Sequence, residues 1–138
     1  MTDQLIYLSA EWRDEAEKRL KAELEPEKMK RITSSMSNIY TKCPDGKDRY
    51  LFFGFRDGRL ETLSVGEGEP PEAEFRITGT YDTFARISRA ELGSQRALMT
   101  GKLKLKGNMV KALKLASIAD RLNKVLATIP ASYFNPPE

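Results

Sequence analysis

Residues 75–115 read FRITGTYDTFARISRAELGSQRALMTGKLKLKGNMVKALKL, and the hydrophobic period changes repeatedly along this stretch. At its start apolar and polar residues alternate, which predicts a strand at residues 73–80 with Phe75 and Ile77 on one face. The spacing then becomes helical, and later it returns briefly to alternation. A chain that switches between the two periods in this way is typical of a domain that combines helices with a sheet.

The rest of this stretch predicts two short helices, a strand and a long helix. Thr80 or Asp82 can cap the first helix, and the second helix is expected near Ser94–Met99. Leucines alternate with lysines in TGKLKLKGN, residues 100–108, which predicts a strand with one face in water. The last helix is predicted at residues 109–129, directly before a proline that ends it.

Upstream of this stretch the sequence predicts a helix followed by strands. Apolar residues recur every four positions over residues 9–25, which indicates an amphipathic helix. Three strands are expected, at residues 35–42, 49–56 and 59–65. The Asp57-Gly58 pair between the last two is a strong hairpin signal. Together with the strand at residues 73–80 they follow one another in meander order, which predicts an antiparallel sheet.

The motifs of residues 75–115 resemble those of the sterol carrier protein 2 family. The matching pieces are the Asp82-Thr83-Phe84 segment and the run from Gly101 to Met109, which has the family's form of a GKLKIKGN strand before a Met- and Leu-rich helix. The Trp-bearing first helix and the Asp-Gly hairpin also follow the family's order. The resemblance therefore extends over roughly residues 10–125.

The resemblance implies an α+β fold in which a curved, mainly antiparallel sheet of about five strands is covered on one face by helices. Family members hold a lipid in an apolar tunnel between sheet and helices, and their ligands include sterols, fatty acids and fatty acyl-CoA esters. A chain of 138 residues favours one compact domain. We expect a single lipid-binding-like domain over residues 1–138, with residues 1–8 and 130–138 as loose tails.

The predicted tunnel wall consists of apolar side chains from the strands and from the helices of the second half. A lipid tunnel needs such a wall because an unpaired buried polar group costs about 1–3 kcal/mol, whereas each buried methylene contributes about 0.8 kcal/mol. The predicted ligand-binding residues are Leu51, Phe53, Phe55, Phe84, Ile87, Leu98, Met99, Leu103, Leu105, Met109, Leu113 and Ile118. Taken singly, an apolar residue at such a position is usually ordinary core, and the resemblance is what favours the tunnel.

The chain lacks the residues on which most enzyme and metal sites depend. It contains no histidine and a single cysteine, Cys43. This excludes Ser-His-Asp and Cys-His catalytic sites within the chain and leaves no ligand set for an ordinary zinc site. Phosphate-binding glycine motifs are also absent from the sequence. We expect no catalytic residue, no metal and no cofactor, and a protein that is not an enzyme.

The net charge of +3 is distributed unevenly. Residues 57–75 carry six acidic side chains and one basic one, whereas residues 101–124 carry seven basic and one acidic. The basic region could make transient contact with an anionic membrane surface or a coenzyme A phosphate, or it could be a solvated lysine face. The net charge is too small, and aromatic residues are too scarce among the lysines, to predict binding of nucleic acid.

Three functional hypotheses follow from the sequence. The first is a non-catalytic intracellular domain that binds or transfers a fatty acid, a fatty acyl-CoA or a sterol-like ligand. The second is a structural or interaction module of the same fold with no lipid pocket, acting as an accessory subunit or as one half of a homodimer. The third is an enzyme or a nucleic-acid binder. The single cysteine, and the lack of a signal-like N-terminus or an apolar span, favour the cytoplasm.

Overall fold

A computed structural model describes residues 4–44 and 46–132 of the chain, and it confirms the predicted α+β class. The strands are β1 (Leu5–Ile6), β2 (Ser34–Thr41), β3 (Arg49–Arg56), β4 (Arg59–Glu67), β5 (Phe75–Thr80), β6 (Lys104–Lys106) and β7 (Ala131–Ser132). The helices are α1 (Ala10–Glu23), α2 (Tyr81–Ser88), α3 (Ser94–Met99) and α4 (Met109–Leu126). Helix α4 ends three residues before the predicted end, and the other helices lie where the sequence placed them.

The main sheet has five strands in the order β4-β3-β2-β5-β6. Strands β2 and β5 run parallel, and the other neighbours are antiparallel. The meander prediction is therefore wrong for β5, which pairs with β2 and not with β4. The reason is a crossing segment at residues 68–74, which covers the outer face of β2: Ser37 Oγ donates to the Pro71 carbonyl at 2.7 Å. A connection of this kind permits a parallel pair, which a hairpin cannot form.

Side-chain caps explain where three of the helices begin. The hydroxyls of Ser9 and Thr80 and the side-chain oxygen of Asn108 each accept a hydrogen bond from the backbone amide three residues further on, at 3.0–3.1 Å. Ser9 and Asn108 are thus the N-caps of α1 and α4, and Thr80, not Asp82, caps α2. An N-cap of this type stabilises a helix by about 1 kcal/mol.

The hairpin between β3 and β4 turns at Asp57 and Gly58, as predicted. Both residues have positive φ, 51° and 79°, which the tight two-residue hairpin turn requires. Gly58 also contacts the turn that follows α1: its N–H donates to the Ile32 carbonyl at 2.7 Å, and a Cβ at this position would lie 2.6 Å from the Pro26 carbonyl oxygen. Only glycine fits this contact, which joins the hairpin to residues 26–32.

Helix α1 attaches the N-terminal part of the chain to the sheet and to α4. Its apolar stripe, Trp12, Ala16 and Leu20, is completely buried. On its flank, Arg13 Nη1 donates to the Leu63 carbonyl of β4 at 2.6 Å. The helix therefore covers β4 on the same face of the sheet that the other helices cover.

The segments that flank the core are more ordered than the sequence suggested. Within the predicted tails, Leu5 pairs with Ala131 and Ile6 with Ser132 in a parallel two-stranded sheet. Tyr7 and Leu8 are buried. A two-residue strand has no hydrophobic period that a sequence pattern can detect, which is why this pairing was not predicted. The other parts of the predicted tails, residues 1–3 and 133–138, lie outside the described residues.

Candidate functional site

A cavity of about 90 Å³ lies between the inner face of the sheet and helices α2, α3 and α4. Strands β2, β3 and β5 form its floor, and α4 forms its roof. Most of the side chains that line it are apolar, and they belong to the main hydrophobic core. A cavity of this size is several times what one buried water needs, so it is a real gap in a close-packed interior.

The cavity brings together eight of the twelve residues predicted for the tunnel wall. These are Leu51, Phe53, Phe55, Phe84, Ile87, Leu98, Leu103 and Ile118. The other four, Met99, Leu105, Met109 and Leu113, do not line it. A role in ligand binding stays a prediction for all twelve, and the structure fixes only their positions.

The four remaining residues lie at the edge of the fold or on its surface. Met99 ends α3 and Met109 begins α4, and they are 70% and 44% exposed. Leu105 points to the inner face, as its exposed lysine neighbours predicted. However, β6 is the edge strand, and Leu105 stands beside Ile77 without lining the cavity. Leu113 is half-buried on the flank of α4.

The sequence analysis missed the contribution of β2 and of the small residues on α4. Alternate residues of β2, Met36, Asn38 and Tyr40, face the cavity. On α4 the alanines at positions 112, 116 and 119 line it, and their helical spacing was visible in the sequence. A cavity remains where small side chains leave space between large ones. The regular spacing of these alanines is therefore the signal that could have identified α4 as the roof.

The cavity is open at one end and closed at the other. Lining residues at the start of β2 and on the middle of α4, including Ser34, Met36 and Leu115, are only half-buried. Tyr40 and Phe84, at the far end of β2, are 1% and 3% exposed. The half-buried set therefore marks a mouth, from which the cavity runs inward along β2.

Hydrogen-bonded hydroxyl groups close the inner end. Tyr7 Oη lies 2.8 Å from Tyr40 Oη and 2.6 Å from Ser88 Oγ, so the three hydroxyls satisfy one another. The Tyr40 and Phe84 rings pack beside them with centroids 4.3 Å apart. Because Tyr7 comes from the segment next to β1, the terminal two-stranded sheet helps to hold this end shut.

An ion pair joins roof and floor at the mouth. Lys111 Nζ on α4 bonds to Glu74 Oε2, and Ser34 Oγ donates to Glu74 Oε1 at 2.6 Å. The ammonium group of Lys111, followed by the hydroxyl of Ser34, lowers the pKa of Glu74 below its ordinary value. A partly exposed pair of this kind adds little stability, but it fixes the start of α4 over the start of β5.

Helix α4 has an outer face that carries only positive charge. The side chains that share its exposed stripe are Val110, Lys114, Ser117, Arg121 and Lys124. The only acidic residue of the helix, Asp120, is half-buried and accepts the Ser94 backbone N–H at 3.0 Å. The basic region predicted from the sequence is therefore concentrated on the surface of the roof. In the part of the chain that the structure describes, no helix is long and apolar enough to cross a bilayer.

The chain is thus an α+β domain in which helices cover one face of a mixed five-stranded sheet and leave an apolar cavity between the two layers. The model of the SCP-2 sterol transfer family matches residues 14–120, and the chain belongs to this family. The family is one of lipid-binding and lipid-transfer domains. The resemblance found in the sequence is thereby confirmed.

Some of the similar proteins are much longer than this chain, which matches only a part of them. Hydroxysteroid dehydrogenase-like protein 2 of Homo sapiens is 37% identical over 93 residues, which are 67% of this chain and 22% of that protein. Non-specific lipid-transfer protein-like 1 of Caenorhabditis elegans is 36% identical over 64 residues, 46% of this chain and 54% of that one. The crystal structure of sterol carrier protein 2 superposes with a TM-score of 0.77 at 23% identity, over 89% of this chain and 98% of that one. The chain thus spans about a fifth of the dehydrogenase-like relatives.

Proposed function

We propose that this protein is a non-catalytic lipid carrier that takes up a fatty acid, a fatty acyl-CoA or a sterol-like molecule into the cavity between the sheet and α4. The observation that carries the proposal is an apolar cavity with one mouth, in a member of a lipid-transfer family. Neither the catalytic groups of a dehydrogenase nor a cofactor is part of the proposal. Family membership and the cavity favour it over the accessory module with a closed core.

The size of the cavity indicates how a ligand would enter. Pockets for drug-sized ligands measure about 300–1,000 Å³, several times the 90 Å³ enclosed here. A lipid must therefore separate α4 from the sheet. Burying ten methylenes would contribute about 8 kcal/mol towards this opening. The alanine-lined face of α4 suits such a movement, because small side chains interlock weakly with the floor.

The proposal is tested by lipid content and by displacement. Native mass spectrometry of the purified protein should detect a co-purified lipid, and a fluorescent fatty-acid analogue should bind with micromolar or tighter affinity and be displaced by unlabelled lipid. The same spectra report whether the chain is a monomer or a homodimer. If fatty acids, acyl-CoA esters and sterols all fail to bind, the cavity is only a packing defect and the closed-core module replaces this proposal.

We further propose that the outer face of α4 contacts anionic membranes while the cavity exchanges its ligand. The support is the stripe with Lys114, Arg121 and Lys124, which lies on the wall that must move when a ligand enters. Each lysine or arginine near an anionic surface contributes about 1 kcal/mol. Lys111 adds less because Glu74 neutralises it. Placement in the cytoplasm stays a prediction.

Charge reversal on this stripe should weaken vesicle binding. Lys114→Glu combined with Arg121→Glu should lower association with phosphatidylserine vesicles by at least about 30-fold at low salt, because about 2 kcal/mol of attraction is lost and the two new carboxylates are repelled by the anionic surface. Cosedimentation measures the bound fraction. Lys18→Glu combined with Arg59→Glu changes the net charge equally at sites away from α4 and serves as the control. Equal losses in the two double variants would indicate a general charge effect and exclude a specific role for α4.

A further inference from the structure

The floor of the cavity contains a buried amide oxygen that has no partner. Asn38 lies on β2, the central strand of the sheet, and is 8% exposed. Its Oδ1 atom accepts no hydrogen bond from the described residues. In register with it stand Leu51 on β3 and Ile77 on β5, which also line the cavity. Asn38 therefore lines the cavity from the middle of an apolar floor and carries an unpaired acceptor that the neighbouring side chains cover.

This arrangement is unfavourable in the protein alone. Buried side-chain oxygens nearly always have a partner, and an unpaired one is costly. The other deep polar groups of the cavity follow that rule. Tyr40 and Ser88 bond to Tyr7, and Ser94 is bonded by Asn123 Nδ2 at 3.4 Å. Asn38 is thus the exception in a site whose remaining polar atoms are satisfied.

The chemistry of the atom limits what can satisfy it. An amide oxygen accepts and cannot donate, so its partner must present an O–H or N–H group. An ionised carboxylate has no proton to donate and would be costly to bury at this depth. Asn38 lies four residues along β2 from Ser34 at the mouth, or about 13 Å at the strand rise of about 3.3 Å per residue. A methyl chain-end at that depth would leave the acceptor unpaired.

We propose that Asn38 is a hydroxyl-recognition subsite, and that the preferred ligand of the cavity is a lipid carrying a hydroxyl group on an otherwise apolar body. The hydroxyl donates to Asn38 Oδ1, and the hydrocarbon fills the apolar space around it. The inference rests on the proposed lipid-carrier function and names its substrate class. The hydroxyl can belong to a long-chain alcohol that enters head-first, or to the middle of a hydroxylated fatty acid that enters tail-first.

Two matched pairs of ligands distinguish the alcohol that enters head-first from the hydroxylated fatty acid that enters tail-first. Dodecanol and methyl undecyl ether are isomers, of which only the alcohol donates a hydrogen bond, so the protein should bind the alcohol about tenfold more tightly. A mid-chain hydroxyoctadecanoate compared with octadecanoate tests the tail-first mode in the same way. Displacement of a fluorescent fatty-acid analogue gives each affinity. A preference for the hydroxylated member in either pair supports the subsite and identifies the orientation.

The variant Asn38→Leu tests whether the amide causes the preference. It should bring the affinity ratio of the preferred pair close to one while the ether or octadecanoate still binds. It should also raise the thermal midpoint of the unliganded protein by about 3–8 °C, because an unpaired polar group is removed. Thr78→Val, on the outer face of the adjacent strand, is the matched control and should keep the wild-type ratio.

The outcomes distinguish this inference from the function on which it rests. If lipids bind but neither pair shows a preference, or if Asn38→Leu retains the preference, the subsite is overturned and the carrier function stands. A higher melting temperature of Asn38→Leu without any change in ratio has the same meaning, since it shows only that the unpaired oxygen is costly and not that a ligand pairs with it. If no lipid binds at all, both proposals fail together.

Discussion

Ala116→Phe is expected to abolish lipid binding and to leave the unliganded protein about as stable as the wild type. Ala116 lines the cavity from α4 and is 3% exposed, so the new ring enters the gap between roof and floor. If the ring displaces only four methylenes of a ligand, about 3 kcal/mol of binding is lost, which is about 100-fold or more in Kd. Displacement titration gives the affinity, and urea unfolding gives the stability.

The matched control is Ala16→Phe on α1. Ala16 is also completely buried, but it does not line the cavity. A phenylalanine at that position should overpack the interface of α1 with the sheet and cost about 1–3 kcal/mol. If Ala116→Phe destabilises the protein as much as Ala16→Phe does, the space beside α4 is not available to a ligand, and the cavity loses its role.

Trp12→Ala is expected to cause the largest loss of stability among single changes outside the cavity. The indole is completely buried on α1 and packs edge-to-face against Tyr7, with ring centroids 4.9 Å apart. Truncating a buried aromatic of this size costs about 3–5 kcal/mol, a large share of the 5–15 kcal/mol that a domain typically has. Urea unfolding followed by circular dichroism measures the change.

Trp12→Phe separates the contribution of the ring from that of the polar atom. The indole Nε1 is buried and has no hydrogen-bond partner among the described residues, so phenylalanine removes an unsatisfied donor together with some volume. We expect a cost below about 1.5 kcal/mol. A loss of stability equal to that of Trp12→Ala would mean that the indole N–H has a hydrogen-bond partner after all.

Local features of the fold were predictable from the sequence because their physics is local. The caps at Ser9 and Asn108 and the turn at Asp57-Gly58 depend on a few neighbouring residues, and all are present in the structure. The partner of β5 could not be predicted in the same way. Strand β5 could pair with β4 or, as observed, with β2, where Phe75 stands opposite Met36. The path of the crossing segment decides between the two, and the sequence of β5 itself does not indicate which one forms.

The candidate site was predicted in part for a related reason. Large apolar residues such as Phe53 and Phe84 were recognised as wall because size and hydropathy are visible in sequence. The cavity itself cannot be recognised in the sequence. It arises where small residues of α4 lie opposite the floor, and this depends on how the helix packs on the sheet. Asn38 was missed because a polar residue in a strand is ordinarily expected on the wet face. Its neighbours Ser37 and Ile39 point to the outer face instead, where the crossing segment at residues 68–74 covers Ser37.

The parallel pairing of β2 with β5 has a consequence for how the chain folds. Strands β2, β3 and β4 are joined by short connections, so they can associate quickly, whereas Met36 and Phe75 must first close a long loop. Helix α4 comes later still in the chain, and Leu5 meets Ala131 only after it. During synthesis the apolar floor therefore emerges before its cover. A nascent chain that stops short of α4 presents that floor to solvent, where chaperones or other unfinished chains can bind it.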